Sequence, residues 1–282
     1  MIIDAHHHIW RFTPAKYPWL TANWAPIRRH FGPTDLQPLL AQCGVDCTIL
    51  VQTYSSLAET RQFLKLAART PFIAGVVGWV DLTSNRVAAT IAELKSGQGG
   101  KKLIGIRHQV HDEADLVWLL RPDVQQGVTA VGCAGLAFDL LVRPRELPAA
   151  HETVVNHPEM RFVIDHLGKP PIRQGGSPAW DSWMRRMAAA PNVYCKLSGM
   201  VTEADWHSWM PEDLRPYVER VLAWFDARRL VFGSDWPVCL VAASYTQVVE
   251  TAQQLIRELP AAQRDAIFGE NACALYKLSV PE

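Results

Sequence analysis

The chain has 282 residues, 49% of them hydrophobic, and its 28 Lys and Arg balance 28 Asp and Glu. A net charge of zero gives no basic stripe for nucleic acid or an anionic membrane, and no apolar run reaches the ~18 residues of a membrane span. The start, Met1-Ile2-Ile3-Asp4-Ala5, lacks the charged and apolar regions of a signal peptide, so the expected compartment is the cytoplasm.

The first predicted strand, Ile2–Ala5, runs directly into His6, His7 and His8. Side chains alternate along a strand, so His6 and His8 share a face and His7 takes the other. Two imidazoles so placed can reach one metal ion or one substrate oxygen. The cluster lies between Ile-Ile-Asp and Ile-Trp, unlike an affinity tag in a Gly/Ser-rich setting. Seven more β-rich runs follow: Cys47–Thr53, Phe72–Val80, Leu103–Gln109, Gly135–Val142, Arg161–Leu167, Val193–Ser198 and Leu230–Ser234. Most are near-continuously apolar, as parallel strands buried on both faces should be.

Helical patterns fill the gaps. One is capped by Thr34 or Asp35 and ends near Gly44, and Ser84 caps another over Arg86–Lys95. Further helices are expected over Asp112–Leu120, Pro144–Asn156, Ala179–Ala190, Pro211–Asp226 and Ser244–Glu258. Strand and helix alternate with no linker, repeat or low-complexity tract. Eight strands in this alternation predict one (β/α)8 TIM-like barrel, a single domain over residues 1–282, with Arg11–Phe31 as an excursion above the first strand. A doubly wound sheet would want a Gly-x-Gly-x-x-Gly turn, which is absent. The six cysteines form no Cys-x-x-Cys pair and read as reduced core residues.

A TIM-like barrel gathers its chemistry at the C-terminal strand ends. There the sequence places His6 and His8, Gln52, Trp79 and Asp81, Arg107-His108-Gln109, Asp165-His166, Lys196 and Ser198 leading to Glu203, and Ser234-Asp235-Trp236. Each has a plainer alternative. His166 reads also as a core histidine bonded to backbone, and Asp235 as the N-cap of the last loop. Glu203 fits an ordinary helix first turn, and Arg107 and Lys196 fit structural ion pairs. Of the eleven tryptophans, Trp79 and Trp236 have positions that favour a site.

Asp4-Ala5-His6-His7-His8, His166 on strand six and Asp235 on strand eight resemble site positions of the amidohydrolase superfamily. Gly105–Gln109, Val163–Pro170, Lys196–Gly199 and Phe232–Pro237 are similar to its sugar-lactonase branch. Lys196–Trp206 is most like the L-fuconolactonases, with L-rhamnonolactonases as near relatives. The resemblance covers essentially the whole chain and implies hydrolysis of a small sugar lactone. Strand four here carries no bridging lysine or glutamate, and strand five no histidine. The resemblance therefore implies at most one divalent ion, zinc, on His6, His8, His166 and Asp235 with Glu203, and an ion not required for activity.

For lactone opening, Asp235 is the expected general base on water. Arg107 and His166 would stabilise the oxyanion in the absence of metal. Gln52, His108 and Glu203 would meet sugar hydroxyls, with Trp79 or Trp236 against the ring. A single strand-end arginine argues for a neutral lactone rather than a dianionic one. No Gly-x-Ser-x-Gly elbow suggests a serine nucleophile. The competing readings are hydrolysis of an aromatic-derived lactone, decarboxylation, and a non-catalytic sugar-binding barrel.

Overall fold

The computed structural model describes residues 1–278; the last four residues of the expected domain span lie outside the described residues. The strands are β1 Ile3–His7, β2 Cys47–Val51, β3 Ile73–Gly78, β4 Leu103–His108, β5 Ala137–Leu140, β6 Phe162–Ile164, β7 Val193–Leu197 and β8 Leu230–Phe232. They pair in chain order, all parallel. All eight coincide with the predicted runs, trimmed by one or more residues at most ends.

Closure between β1 and β8 comes largely from residues just past the last strand. His7 bridges Trp236 in parallel, and the Asp235 amide donates to the His6 carbonyl at 2.8 Å. The Asp4 carboxylate adds a side-chain clasp. It accepts from the Ser234 amide at 2.8 Å, the Ser234 hydroxyl at 2.6 Å and the Tyr245 hydroxyl at 3.2 Å. The sheet is thus a closed (β/α)8 barrel. The pairing of β1 with β2 shifts register between Asp4 and His7, a bulge of the kind that re-aims side chains beside active sites.

The helices are α1 Pro33–Cys43, α2 Leu57–Ala67, α3 Val87–Ser96, α4 Pro122–Cys133, α5 Leu147–Asn156, α6 Pro178–Ala189, α7 Met200–Glu203, α8 Pro211–Phe225, α9 Tyr245–Leu255, α10 Ala261–Asp265 and α11 Asn271–Tyr276. Three expectations need correction. The first helix starts at Pro33, not behind a Thr34 or Asp35 cap. Proline suits the first helical position, and Asp35 instead reaches back to accept the Gly32 amide at 2.8 Å. The helix expected over Asp112–Leu120 is two 3-10 turns, and the true helix follows at Pro122. Its Gly127 lowers the helical signal yet is required, because a Cβ there would lie 2.2 Å from the Leu82 carbonyl. Helix α2 was not anticipated, because its buried face includes the polar Glu59 and Thr60.

Ala272, Leu275 and Tyr276 of α11 pack with Ile3, Ala5, Ile49, Val51, Val77, Val163 and Val231, an apolar cluster inside the barrel. The Tyr276 hydroxyl donates to Asp139 at 2.7 Å and links that cluster to the charged layer above it.

Candidate active site

Four side chains from three strand ends converge. His6 Nε2 lies 3.2 Å from His8 Nε2, and Asp235 Oδ1 lies 3.5 Å from His8 Nε2 and 3.9 Å from both His6 Nε2 and His166 Nε2. His7 points away to Thr48 Oγ1 at 2.9 Å, as strand alternation predicts.

Outer partners fix the rings. His8 Nδ1 donates to the Val51 carbonyl at 2.8 Å, which fixes the ring and turns its Nε2 edge toward Asp235. His166 Nδ1 meets Ser198 Oγ at 2.9 Å. A Cβ on Gly199 would stand 2.6 Å from that same Nδ1, so only glycine leaves room for the ring.

His166 is set by an unusual backbone. His166, Leu167, Gly168 and Lys169 have φ of 52°, 53°, 67° and 51°, four consecutive residues in the left-handed region. For a residue with a Cβ this conformation costs about 1–2 kcal/mol. Three such residues among four consecutive positions persist only where the surroundings impose them. Trp180 Nε1 donates to the Leu167 carbonyl at 2.7 Å and helps pin the turn. The result is that His166 and Lys169 both face the barrel mouth.

Below the imidazoles lies a buried charged layer. Lys196 Nζ sits 2.5 Å from Asp139 Oδ2, 3.0 Å from Asp165 Oδ1 and 3.2 Å from His6 Nδ1. Arg107 donates Nη1 to Asp165 Oδ2 at 2.9 Å and also approaches His6 Nε2 at 3.2 Å, while its Nη2 takes the Gln52 carbonyl. Burial would raise the Asp165 carboxyl, but Lys196, His6 and Arg107 hold it well below the usual range. Burial pushes Asp139 up to about 6 against the pull of Lys196. Burial also lowers His6 and His166 well below the ordinary imidazole value, so both are neutral near pH 7. Asp235 is opposite in sense. Burial would raise it, yet His166 and the His8 hydrogen bond keep it below the normal carboxyl value and therefore ionised.

Above this centre opens a cavity of about 360 Å³. Trp19, Trp24 and Trp206 form an aromatic wall, with Trp24 against Trp206 at 4.8 Å and against Trp19 at 5.2 Å. The polar wall carries Arg107, Arg143 and Lys169, matched by Asp112, Glu203 and Asp235. Glu203 accepts from Lys169 Nζ at 2.6 Å and stands apart from the converging donors.

The structure thus brings together His6, His8, His166, Asp235 and Arg107, with Glu203 on the cavity wall. Gln52, Trp79, His108 and Trp236 lie outside the lining. Gln52 is fully buried. Trp79 Nε1 donates to His108 Nδ1 at 3.0 Å, and His108 Nε2 meets Glu113 at 2.7 Å while its ring stacks on Trp118 at 4.1 Å. Trp236 is 1% exposed and packs edge-on against Phe31. Sequence reasoning missed Trp19, Trp24, Trp206, Arg143 and Lys169. Lys169 and Trp206 had a signal, since each lies in a segment quoted for the resemblance, Lys169 three residues past His166 and Trp206 at the end of Lys196–Trp206. Arg143 also corrects the expectation of one arginine at the mouth. Charge balance survives the correction, because the lining carries three cations and three carboxylates.

Thr53 on the cavity rim is held from behind by Glu59, which accepts its amide at 2.8 Å and its hydroxyl. Burial pushes the Glu59 carboxyl from 4.5 to about 7, with the Thr53 and Tyr54 hydrogen bonds opposing. A carboxyl raised on folding favours the protonated native state. Its contribution is complete below about pH 4.5 and is lost as pH rises through about 7. Glu59→Gln, which keeps an acceptor for both amides, should abolish that dependence. By pH 8.5 it should be about 3 kcal/mol more stable than the parent chain. Urea midpoints at pH 5 and 8.5 measure this; parallel curves for the two proteins would contradict it.

A (β/α)8 barrel with three imidazoles and a carboxylate at its mouth defines a class, the barrel enzymes that activate water at the strand ends. The family model described as amidohydrolase matches residues 3–278, and the chain belongs to that family. It is 43% identical to an L-fucono-1,5-lactonase of Burkholderia ambifaria over 285 residues, 99% of this chain and 96% of that one. An L-fucono-1,5-lactonase of Burkholderia multivorans is 38% identical over 99% of this chain and 97% of its own length. A solved amidohydrolase from Burkholderia multivorans with bound zinc superimposes with a TM-score of 0.94 at 37% identity, covering 99% of both chains.

Proposed function

We propose that this chain hydrolyses an aldonolactone of the L-fucono-1,5-lactone type to the open-chain acid. The observation that carries the reading is the ionised Asp235 beside three imidazoles at the base of a charge-balanced cavity with an aromatic wall. The similarity to lactonases supports it. Asp235 takes the proton of the attacking water. Arg107, permanently cationic and reaching the cavity from the charged layer, stabilises the oxygen of the carbonyl under attack. Three cations against three carboxylates suit a neutral sugar, whose hydroxyls find Gln109, Asp112, Thr202 and Glu203 on one side. Its apolar edge meets the tryptophans, since aromatic faces cover such surfaces well.

The donor set also fits one divalent ion. Separations of 3.2–3.9 Å among His6 Nε2, His8 Nε2 and Asp235 Oδ1 are close to those around a tetrahedral zinc with bonds of about 2.1 Å, and His166 Nε2 stands 3.9 Å from the same carboxylate oxygen. The Val51 and Ser198 contacts of His8 and His166 supply the outer support that metal-bound imidazoles carry. An ion held there would polarise the carbonyl and lower the pKa of a bound water. We expect one equivalent of zinc per chain. Elemental analysis showing two equivalents, both needed for turnover, would refute a single-ion site.

All six cysteines are free thiols, and among the described residues no helix is long and apolar enough to cross a membrane. Free thiols suit a reducing compartment, and we assign the cytoplasm. The function is tested by acid release from a panel of lactones. The expected order of kcat/KM is L-fucono above L-galactono and L-rhamnono, with a dicarboxylate lactone far below. A preference for the dicarboxylate would show that the cations, not the balance, govern the cavity.

A further inference from the structure

A second cavity, of about 590 Å³, adjoins the mouth and shares Trp10 with it. Its size suits a small molecule, and the water-activating centre makes no use of it. Two segments bring cations to it. Arg11 and Lys16 come from the excursion after β1, Lys65 from the last turn of α2, and Arg69 from just past that helix.

These four cations lack counter-charges. Nearby Arg29, Arg61 and Arg86 each pair with a carboxylate at 3.2–3.8 Å. Among the described residues, Arg11, Lys16, Lys65 and Arg69 have no such partner. Glu59 is the carboxyl in the lining, and both its oxygens turn to Thr53. Burial pushes it up to about 7, so it is only partly charged at neutral pH. The mouth differs, with three cations matched by three carboxylates.

A helix C-terminus favours cations in its last turn, which is reason enough for Lys65 and Arg69 taken alone. It gives no reason for Arg11 and Lys16, which belong to another segment and line the same space. Lys65 and Arg69 are also four residues apart, a repulsive spacing for like charges on a helix. Four uncompensated cations around one cavity, in a chain of zero net charge, form a site that an anion completes. The rest of the lining narrows the class of anion. Phe31, Tyr54 and Phe63 give the cavity aromatic surface, which packs well against a flat ring.

We propose that this cavity binds a multiply charged organic anion with a flat apolar body, the chemistry of a nucleoside diphosphate. Arg11, Lys16, Lys65 and Arg69 meet the charged end, and the aromatic side chains meet the ring. The site stands apart from the lactone chemistry, and its existence does not depend on that reading.

The test is calorimetric titration of the full chain with ADP, pyrophosphate and adenosine, without divalent ions and at about 50 mM salt, where charge is only weakly screened. ADP should bind with a Kd below about 1 mM, and pyrophosphate and adenosine, each with half of the chemistry, at least about tenfold more weakly. Two double variants remove the cations of one segment at a time: Arg11→Gln with Lys16→Gln, and Lys65→Gln with Arg69→Gln. All four side chains are exposed, so melting temperatures should hold, and either double variant alone suffices for the test. Each should weaken ADP by at least about tenfold, the worth of a charge-assisted contact. Arg143→Gln, which removes a cation from the mouth instead, should leave ADP affinity within about twofold, less than such a contact is worth. ADP that fails to bind, binds no tighter than pyrophosphate, or is weakened by Arg143→Gln and not by the double variants would overturn the proposal.

Discussion

Asp235→Asn should reduce lactone hydrolysis by about 100- to 10,000-fold, the contribution of a positioned base, and leave the melting temperature almost unchanged. Asparagine keeps the size and still bonds His8 Nε2. It also tolerates the backbone at this position, where Asp235 has φ 57°, because Asn and Asp are the residues besides glycine that adopt left-handed conformations readily. Asp235→Ala is the informative contrast, since it loses the base and adds backbone strain of about 1 kcal/mol. Retention of more than a tenth of parental kcat by the asparagine variant would remove Asp235 from the role of base.

Lys196→Met should be the most destabilising single change in the barrel interior. It leaves Asp139 and Asp165 buried without the cation that lies 2.5 and 3.0 Å away, and breaking a buried ion pair from one side costs about 3–5 kcal/mol. Arg107 still pairs with Asp165, so the exposed weakness is Asp139. That carboxyl is already pushed up to about 6 by burial, and loss of Lys196 pushes it higher. A raised carboxyl costs stability as pH rises through its native value, so the gap between variant and parent should widen above about pH 6. Adding Asp139→Asn should recover most of the loss, because asparagine still accepts from Tyr276. Urea unfolding at pH 5 and 8 decides this. A deficit below about 1 kcal/mol at pH 8 would mean that the layer is hydrated and the pair worth little.

The strands were legible because burial on both faces leaves apolar runs, and the polar residue that ends each run is conspicuous. His6, His8, His166 and Asp235 were found by that contrast. The same contrast misled at His108 and Trp79, where strand-end polar groups satisfy each other and Glu113 rather than facing the cavity. A strand end shows that a polar group is tolerated; it does not show which neighbours take it up. The tryptophan wall was illegible for a different reason. Trp19 and Trp24 ride on the excursion after β1, and Trp206 lies beyond β7. They meet only because the folded barrel brings distant loops over one mouth. Helix α2 escaped because Glu59 and Thr60 turn inward to bond Thr53 and the Trp79 backbone, which breaks the apolar period that would mark it.

The Asp4 clasp has a consequence for how the protein is made. The carboxylate that anchors β1 finds its partners at Ser234 and Tyr245, and His6 and His8 meet Asp235 across the same seam. During synthesis the first strand therefore emerges long before the residues that complete its hydrogen bonds, and contacts of such sequence separation form slowly. Until β8 and α9 have left the ribosome, β1 has one open edge and the nascent chain has imidazoles without their carboxylate. Chains interrupted anywhere upstream of residue 235 lack the carboxylate proposed here as the base, so on that proposal a partly made copy cannot act on a substrate before the barrel is sealed.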